Sequence, residues 1–198
     1  MKSKKPLSLF IFVLFGILSI NYSYSIEPDV FVQSTVNRAS EALNNKLSKK
    51  EKIDELKEIA SETVDIRGIG FYTLGAYRKN ISKDQIKQYE TLFEQYFLKS
   101  FSSRLAEYSN PEIEVISKKK LNKNYTMVSS ILVSTEQRPE VKIDWRVYTK
   151  DSENPLIRDL IIEGLSLART QKEEFSSIIQ SNDGDINALF EALKKFIK

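Results

Sequence analysis

Between Val141 and Tyr148 the chain alternates without a break: Val141, Ile143, Trp145 and Val147 are apolar, and Lys142, Asp144, Arg146 and Tyr148 fall between them. A period of two sends the first set to one face of a β-strand and the second set to the other. Residues 112–118, 125–134 and 156–163 carry the same texture, and the strand itself extends over 140–150. Asn122-Lys123-Asn124, Gln137-Arg138-Pro139 and residues 151–155 supply turns between them. Links this short favour antiparallel neighbours, so the pattern predicts a four-stranded antiparallel sheet.

Outside that region the period is helical. Val32, Val36, Ala39, Leu43 and Leu47 mark one face of a helix over 28–47, and Ile53, Leu56 and Ile59 one face of a second over 49–62. Residues 64–79 scatter Gly68, Gly70 and Gly75 among Ile66, Ile69, Phe71, Tyr72, Leu74 and Tyr77. Their spacing fits no phosphate-binding loop. Each glycine in a helix costs about 1 kcal/mol against alanine, which predicts a close backbone approach or a bend. Ser82-Lys83-Asp84-Gln85 reads as a capping box opening a helix to about residue 108. Its stripe is wide and aromatic: Ile86, Tyr89, Leu92, Phe93, Tyr96, Phe97, Phe101 and Leu105. Such a stripe serves either as core against the sheet or as the wall of a long apolar ligand. After Gly164 come two more helices, one with Leu165, Ala168, Phe175 and Ile178 or Ile179 inward, the other with Ile186, Leu189, Phe190, Leu193 and Phe196. Asp183 or Asp185 caps the last. The fold class is α+β, a four-stranded sheet with helices on one face.

Residues 1–25 have the parts of a secretory signal: Lys2, Lys4 and Lys5, an apolar run over 7–20, then Ser23-Tyr24-Ser25 with small residues at the cleavage positions. The run is shorter than the roughly 20 residues of a spanning helix. Cleavage after Ser25 leaves one domain, 26–198. The net charge of +3 then loses its meaning, because the signal holds three lysines and no acid, and the 27 remaining basic residues face 27 acidic ones. A neutral exported chain has no footprint for nucleic acid. Cysteine and histidine are both absent, which removes disulfides, the usual zinc sites and any histidine base. Asp65, Asp144, Asp159 and Glu163 sit in apolar segments, so a carboxylate hydrolase built on Asp144 or Glu163 is one expectation, although Arg67, Arg146 and Arg158 offer each acid an ion pair instead. Ser166 after Gly164 lacks the elbow of a serine nucleophile. Apolar surface exceeds chemistry, which is the profile of a binding module.

Several of these segments carry a resemblance. Val64-Asp65-Ile66, Leu74-Gly75-Ala76-Tyr77-Arg78, Ser82-Lys83-Asp84-Gln85, Tyr89 through Phe93 and Tyr96-Phe97 stand in one order. Asp159-Leu160-Ile161-Ile162-Glu163-Gly164-Leu165-Ser166-Leu167 and then Phe175 with Ile178-Ile179 follow. Together they resemble the MlaC family of periplasmic phospholipid-binding proteins, also called toluene-tolerance auxiliary proteins. The resemblance implies a periplasmic carrier holding acyl chains in an apolar cavity between sheet and helices. It also implies as partners an outer-membrane lipoprotein complex and an inner-membrane ABC transporter with its MCE-domain subunit. No reaction and no cofactor are implied, phospholipid being cargo. Alternation and helical stripe nominate Phe71, Leu74, Phe93, Phe97, Met127, Ile131, Ile143, Trp145, Val147 and Ile161 as wall residues. A periplasmic assembly or chaperone factor with a shallow groove for apolar polypeptide segments is the alternative.

Overall fold

A computed structural model describes residues 25–108, 111–136 and 138–198. The signal segment therefore lies outside the described residues except for Ser25. The strands are β1 (Ile113–Asn122), β2 (Tyr125–Leu132), β3 (Val141–Tyr148), β4 (Leu156–Ile162) and β5 (Leu165–Ser166), an antiparallel sheet in sequential order. The expected class holds, with five strands instead of four. The extra one exists because Glu163 (φ 49°) and Gly164 (φ 83°) both adopt positive φ, the signature of a two-residue hairpin loop, and fold Leu165 back beside Ile162. β1 also runs four residues past the expected end at Lys118.

The helices are α1 (Pro28–Asn44), α2 (Lys49–Thr63), α3 (Ile66–Leu74), α4 (Lys83–Leu105), α5 (Leu167–Gln180) and α6 (Ile186–Ile197), with a 3-10 turn at Gly75–Lys79. Local chemistry sets their starts. Ser82 and Gln85 close the expected capping box, the Gln85 N–H donating to Ser82 Oγ at 3.2 Å and the Ser82 N–H to Gln85 Oε1 at 3.0 Å. Ser48 and Glu51 close another at α2, and Asp185 caps α6. Asp65 caps α3, accepting the Gly68 N–H at 2.8 Å.

α1 lies along β1 and β2, while α3 and α5 reach β4; α2, α4 and α6 pack on those helices. The aromatic stripe of α4 accordingly meets other helices. Phe93 and Tyr96 set their rings against Phe175 of α5 at 6.2 and 5.7 Å, Tyr89 stands 6.4 Å from Phe190 and Tyr96 4.9 Å from Phe196 of α6. Gly70 is the close approach that the glycines of α3 predicted: a Cβ there would stand 2.8 Å from Phe93 Cδ1. Among the described residues no helix is long and apolar enough to cross a membrane.

Candidate functional site

The register decides which side chains share the helix-covered face. Ile143 pairs with Ser130 and Ile162, Trp145 with Val128 and Leu160, and Val147 with Thr126 and Ile157. Paired residues point the same way, so these form the inner face. Its one aromatic nitrogen is satisfied internally: Trp145 Nε1–H donates to Ser130 Oγ at 2.8 Å, and that hydroxyl donates to Ile143 O at 3.1 Å.

Burial is not uniform along this interior. The core that Val147 enters is tightly packed: Val147, Val128, Leu74 and Tyr89 are 0% exposed and Phe93 2%. A polar staple fixes it. The Asp65 N–H donates to Ile157 O at 2.9 Å, and Arg158 Nε–H donates to Asp65 Oδ2 at 2.5 Å while its guanidinium lies 3.9 Å over the Tyr148 ring and donates to Tyr125 Oη at 2.6 Å. The start of α3 is thereby tied to β4. Deeper in, the Tyr89 hydroxyl lies 2.8 Å from Thr73 Oγ1 and donates to Gly70 O at 3.2 Å, and burial raises this phenol well above its ordinary pKa.

Toward the other end, where Val141 faces Leu132 and Leu132 faces Ile113, the same face loosens. Val141, Ile162 and Ile113 are only half-buried there, beside the buried Leu132 and Ile143, as are Phe97 and Phe101 on α4, whose rings stack at 5.6 Å. The end of α4 belongs to this side of the molecule. Ser40 Oγ donates to Pro111 O at 2.9 Å and Lys49 Nζ pairs with Glu107 at 2.5 Å, so the C-terminal ends of α1 and α4, the start of α2 and the start of β1 are gathered together. The interior is thus sealed at one end and edged by half-buried apolar side chains at the other.

The nominated wall residues divide by this geometry. Ile143, Trp145 and Val147 lie on the inner face, with Leu74 and Phe93 in the same buried core and Phe97 packed against it. Phe71 is half-buried beside a pocket of about 340 Å³ between α3 and α4, under the Arg67 guanidinium at 5.1 Å, and Arg67 pairs with Glu90 of α4 at 2.7 Å. Met127, Ile131 and Ile161 pair with Arg146, Lys142 and Asp144 and so occupy the opposite face, away from any space under the helices. A bulge at Arg158 turns Leu160 and Ile162 inward in place of Ile161, and Leu160, Ile162 and Val141 are inner-face residues that were not nominated.

The embedded acids are all engaged. Asp159, 3% exposed, accepts from Ser166 Oγ at 2.6 Å and the Ala168 N–H at 3.0 Å, faces Arg146 at 3.4 Å, and so ties the start of α5 to β4. Ser166 is itself the N-cap of α5. Asp144 accepts from Ser129 Oγ at 2.6 Å, and Glu163 accepts the Lys142 N–H at 2.5 Å.

Two comparisons bear on this arrangement. A solved structure of a phospholipid-binding protein from Ralstonia solanacearum, in complex with a phospholipid, superposes with a TM-score of 0.72 at 16% sequence identity, covering 87% of this chain and 97% of that one. The likeness establishes a shared fold. In sequence, the family model described as MlaC protein matches residues 33–195, from the second turn of α1 into the last turn of α6. With its elements in that order and nearly its whole described length matched, the chain belongs to the MlaC family.

Proposed function

We propose that the protein is a periplasmic phospholipid carrier whose cargo lodges its acyl chains between the inner face of the sheet and the C-terminal half of α4. One observation carries the reading: apolar side chains of sheet and helix, Val141 and Ile162 with Phe97 and Phe101, stay half-buried toward the end of the sheet away from Val147, whose own surroundings are closed. A fold that only needed a core would gain by closing that end, at roughly 25 cal/mol for each Å² of apolar surface removed from water. Family membership and the phospholipid in the Ralstonia relative supply the class of ligand.

Energetics then set what the carrier does. Two acyl chains of roughly 30 methylenes cost on the order of 25 kcal/mol to bring into water, at about 0.8 kcal/mol per methylene. The protein must return nearly all of that to remove a lipid from a bilayer. Bilayer and protein interior are both hydrocarbon-like, so net transfer lies near zero and runs either way. Direction is set by partners, an outer-membrane lipoprotein complex at one side and an ABC transporter with its MCE-domain subunit at the other, with ATP hydrolysed by the transporter. The protein binds and releases and catalyses no reaction. Its acids support that division of labour, since Asp65 and Asp159 hold helix starts to β4.

Native mass spectrometry of the exported protein, purified without detergent and followed by organic extraction, tests the reading. A discrete added mass extracting as phospholipid is expected. A protein that stays empty after incubation with liposomes contradicts it.

A further inference from the structure

Among the described residues β1 is the edge of the sheet, paired with β2 alone, and two β-bulges interrupt it. The register passes from Val115↔Ser130 to Ser117↔Ser129, leaving out Ile116, and from Lys120↔Thr126 to Asn122↔Tyr125, leaving out Leu121. Both omitted residues are large and apolar, and both are exposed, Ile116 by 56% and Leu121 by 43%. Bulges re-aim side chains. Here they present two apolar groups to solvent on a strand that begins with Ile113 and Glu114 and carries a basic run toward its end, Lys118, Lys119, Lys120 and then Lys123 in the turn.

The lysines are not equivalent. Lys118 Nζ is held by Glu27 at 2.5 Å and Asp29 at 2.7 Å, which draws the first turn of α1, with its exposed Val30, alongside the strand. Among the described residues Lys119, Lys120 and Lys123 form no ion pair and are exposed. Asp151, in the neighbouring turn, directs its carboxylate to Glu153 and Asn154 of its own loop. Lysines on an edge strand guard it against pairing with another strand. That accounts for the charge and leaves the apolar pair unexplained, because exposed Ile and Leu on an edge work against such protection.

We propose that the β1 edge is a docking surface for a bilayer containing anionic phospholipid. Unpaired ammonium groups meet the acidic head groups, and Ile116 and Leu121 enter the boundary between head groups and acyl chains, the pairing of forces that holds interfacial segments on membranes. Docked edge-on, the sheet stands with β1 against the lipid. The lysines, level with Val147 through Thr126, and the start of β1 at the half-open end then lie along the same edge. The inference stands on the geometry of the strand and not on cargo, and the two readings fail separately: a protein that docks but carries nothing, and one that carries but does not dock, are distinguishable.

The test is sedimentation of the exported protein, its N-terminus verified by mass, with large vesicles of phosphatidylcholine alone or mixed with phosphatidylglycerol. Binding is expected to the mixed vesicles and to fall as salt rises. Combining Lys119→Glu, Lys120→Glu and Lys123→Glu lowers it roughly a hundredfold or more, at about fivefold per lysine neutralised. Ile116→Ser with Leu121→Ser lowers it severalfold. Lipid content by native mass spectrometry and the thermal midpoint stay unchanged in both variants, since every altered side chain is exposed. Equal binding to neutral vesicles, or undiminished binding by the lysine variant, overturns the proposal. A wild-type protein that ignores anionic vesicles also overturns it and reassigns the strip to an acidic protein surface.

Discussion

The two ends of the interior are built from the same kinds of residue and are closed to different degrees. At one, Val147, Val128, Tyr89 and Phe93 are shut away from water, and the Asp65–Arg158 pair with the Tyr148 ring binds α3 to β4 over them. At the other, Val141, Ile162, Phe97 and Phe101 are equally apolar and only half-covered. Hydrophobicity alone therefore does not decide closure. The sealed end is crossed by polar ties and by the Gly70–Phe93 contact, whereas at the half-open end the ties join helix ends to the start of β1 at the margin of the sheet. The first end supplies stability, and the second remains free to part around a ligand.

Substitutions sort by which end they touch. Phe93→Ala removes a ring with four aromatic neighbours from the sealed end, and chemical denaturation is expected to show a loss of about 3–5 kcal/mol. Asp159→Ala strips acceptors from the Ala168 N–H and Ser166 at the start of α5, with an expected loss of about 2–3 kcal/mol. Gly70→Ala forces a methyl to within 2.8 Å of Phe93 and should cost about 1–3 kcal/mol, raising the unfolding rate or lowering the midpoint. The half-open end behaves differently. Ile162→Trp is expected to change stability by less than about 1.5 kcal/mol while lowering the lipid recovered with the protein, because the side chain it replaces is only half-buried. An equal loss of stability from Ile162→Trp and Phe93→Ala would erase the distinction between the ends.

The smallest effect concerns the strap from α1 to β1. A hydrogen bond from Lys118 holds the Asp29 carboxyl below its ordinary value of 3.8. A depressed carboxyl contributes stability that is present above its unfolded value and lost as pH falls through the folded one. Acid titration followed by hydrogen exchange should therefore loosen the first turn of α1 only below the usual carboxylate range. Asp29→Asn should remove that step.

What the sequence revealed and what it concealed follow from the physics of each element. β3 was legible because one of its faces is buried and the other is not, and the Ser82–Gln85 box because capping is local chemistry. The far half of β1 was not, since an edge strand with solvated lysines has no alternation to detect. β5 hid behind Glu163, a non-glycine residue at positive φ, where the chain was expected to pass straight from strand to helix. The nominated residues divide between the two faces where both parities of a strand are apolar. In β2, Met127 and Ile131 alternate with Val128 and Leu132, and pairing to Trp145 and Val141 selects the second pair. In Leu160-Ile161-Ile162 every position is apolar, and the bulge at Arg158 chooses the first and third. The aromatic stripe of α4 was found, but its partners on α5 and α6 are tertiary and have no local signature.

The central claim is that lipid occupies the half-open end. Hydrogen exchange on lipid-loaded and lipid-stripped protein measures this directly. Added protection is expected over residues 97–105, 141–143 and 161–162, with little change around Gly70, Tyr89 and Val147. Protection confined to the sealed end, or no difference between the two forms, would contradict it.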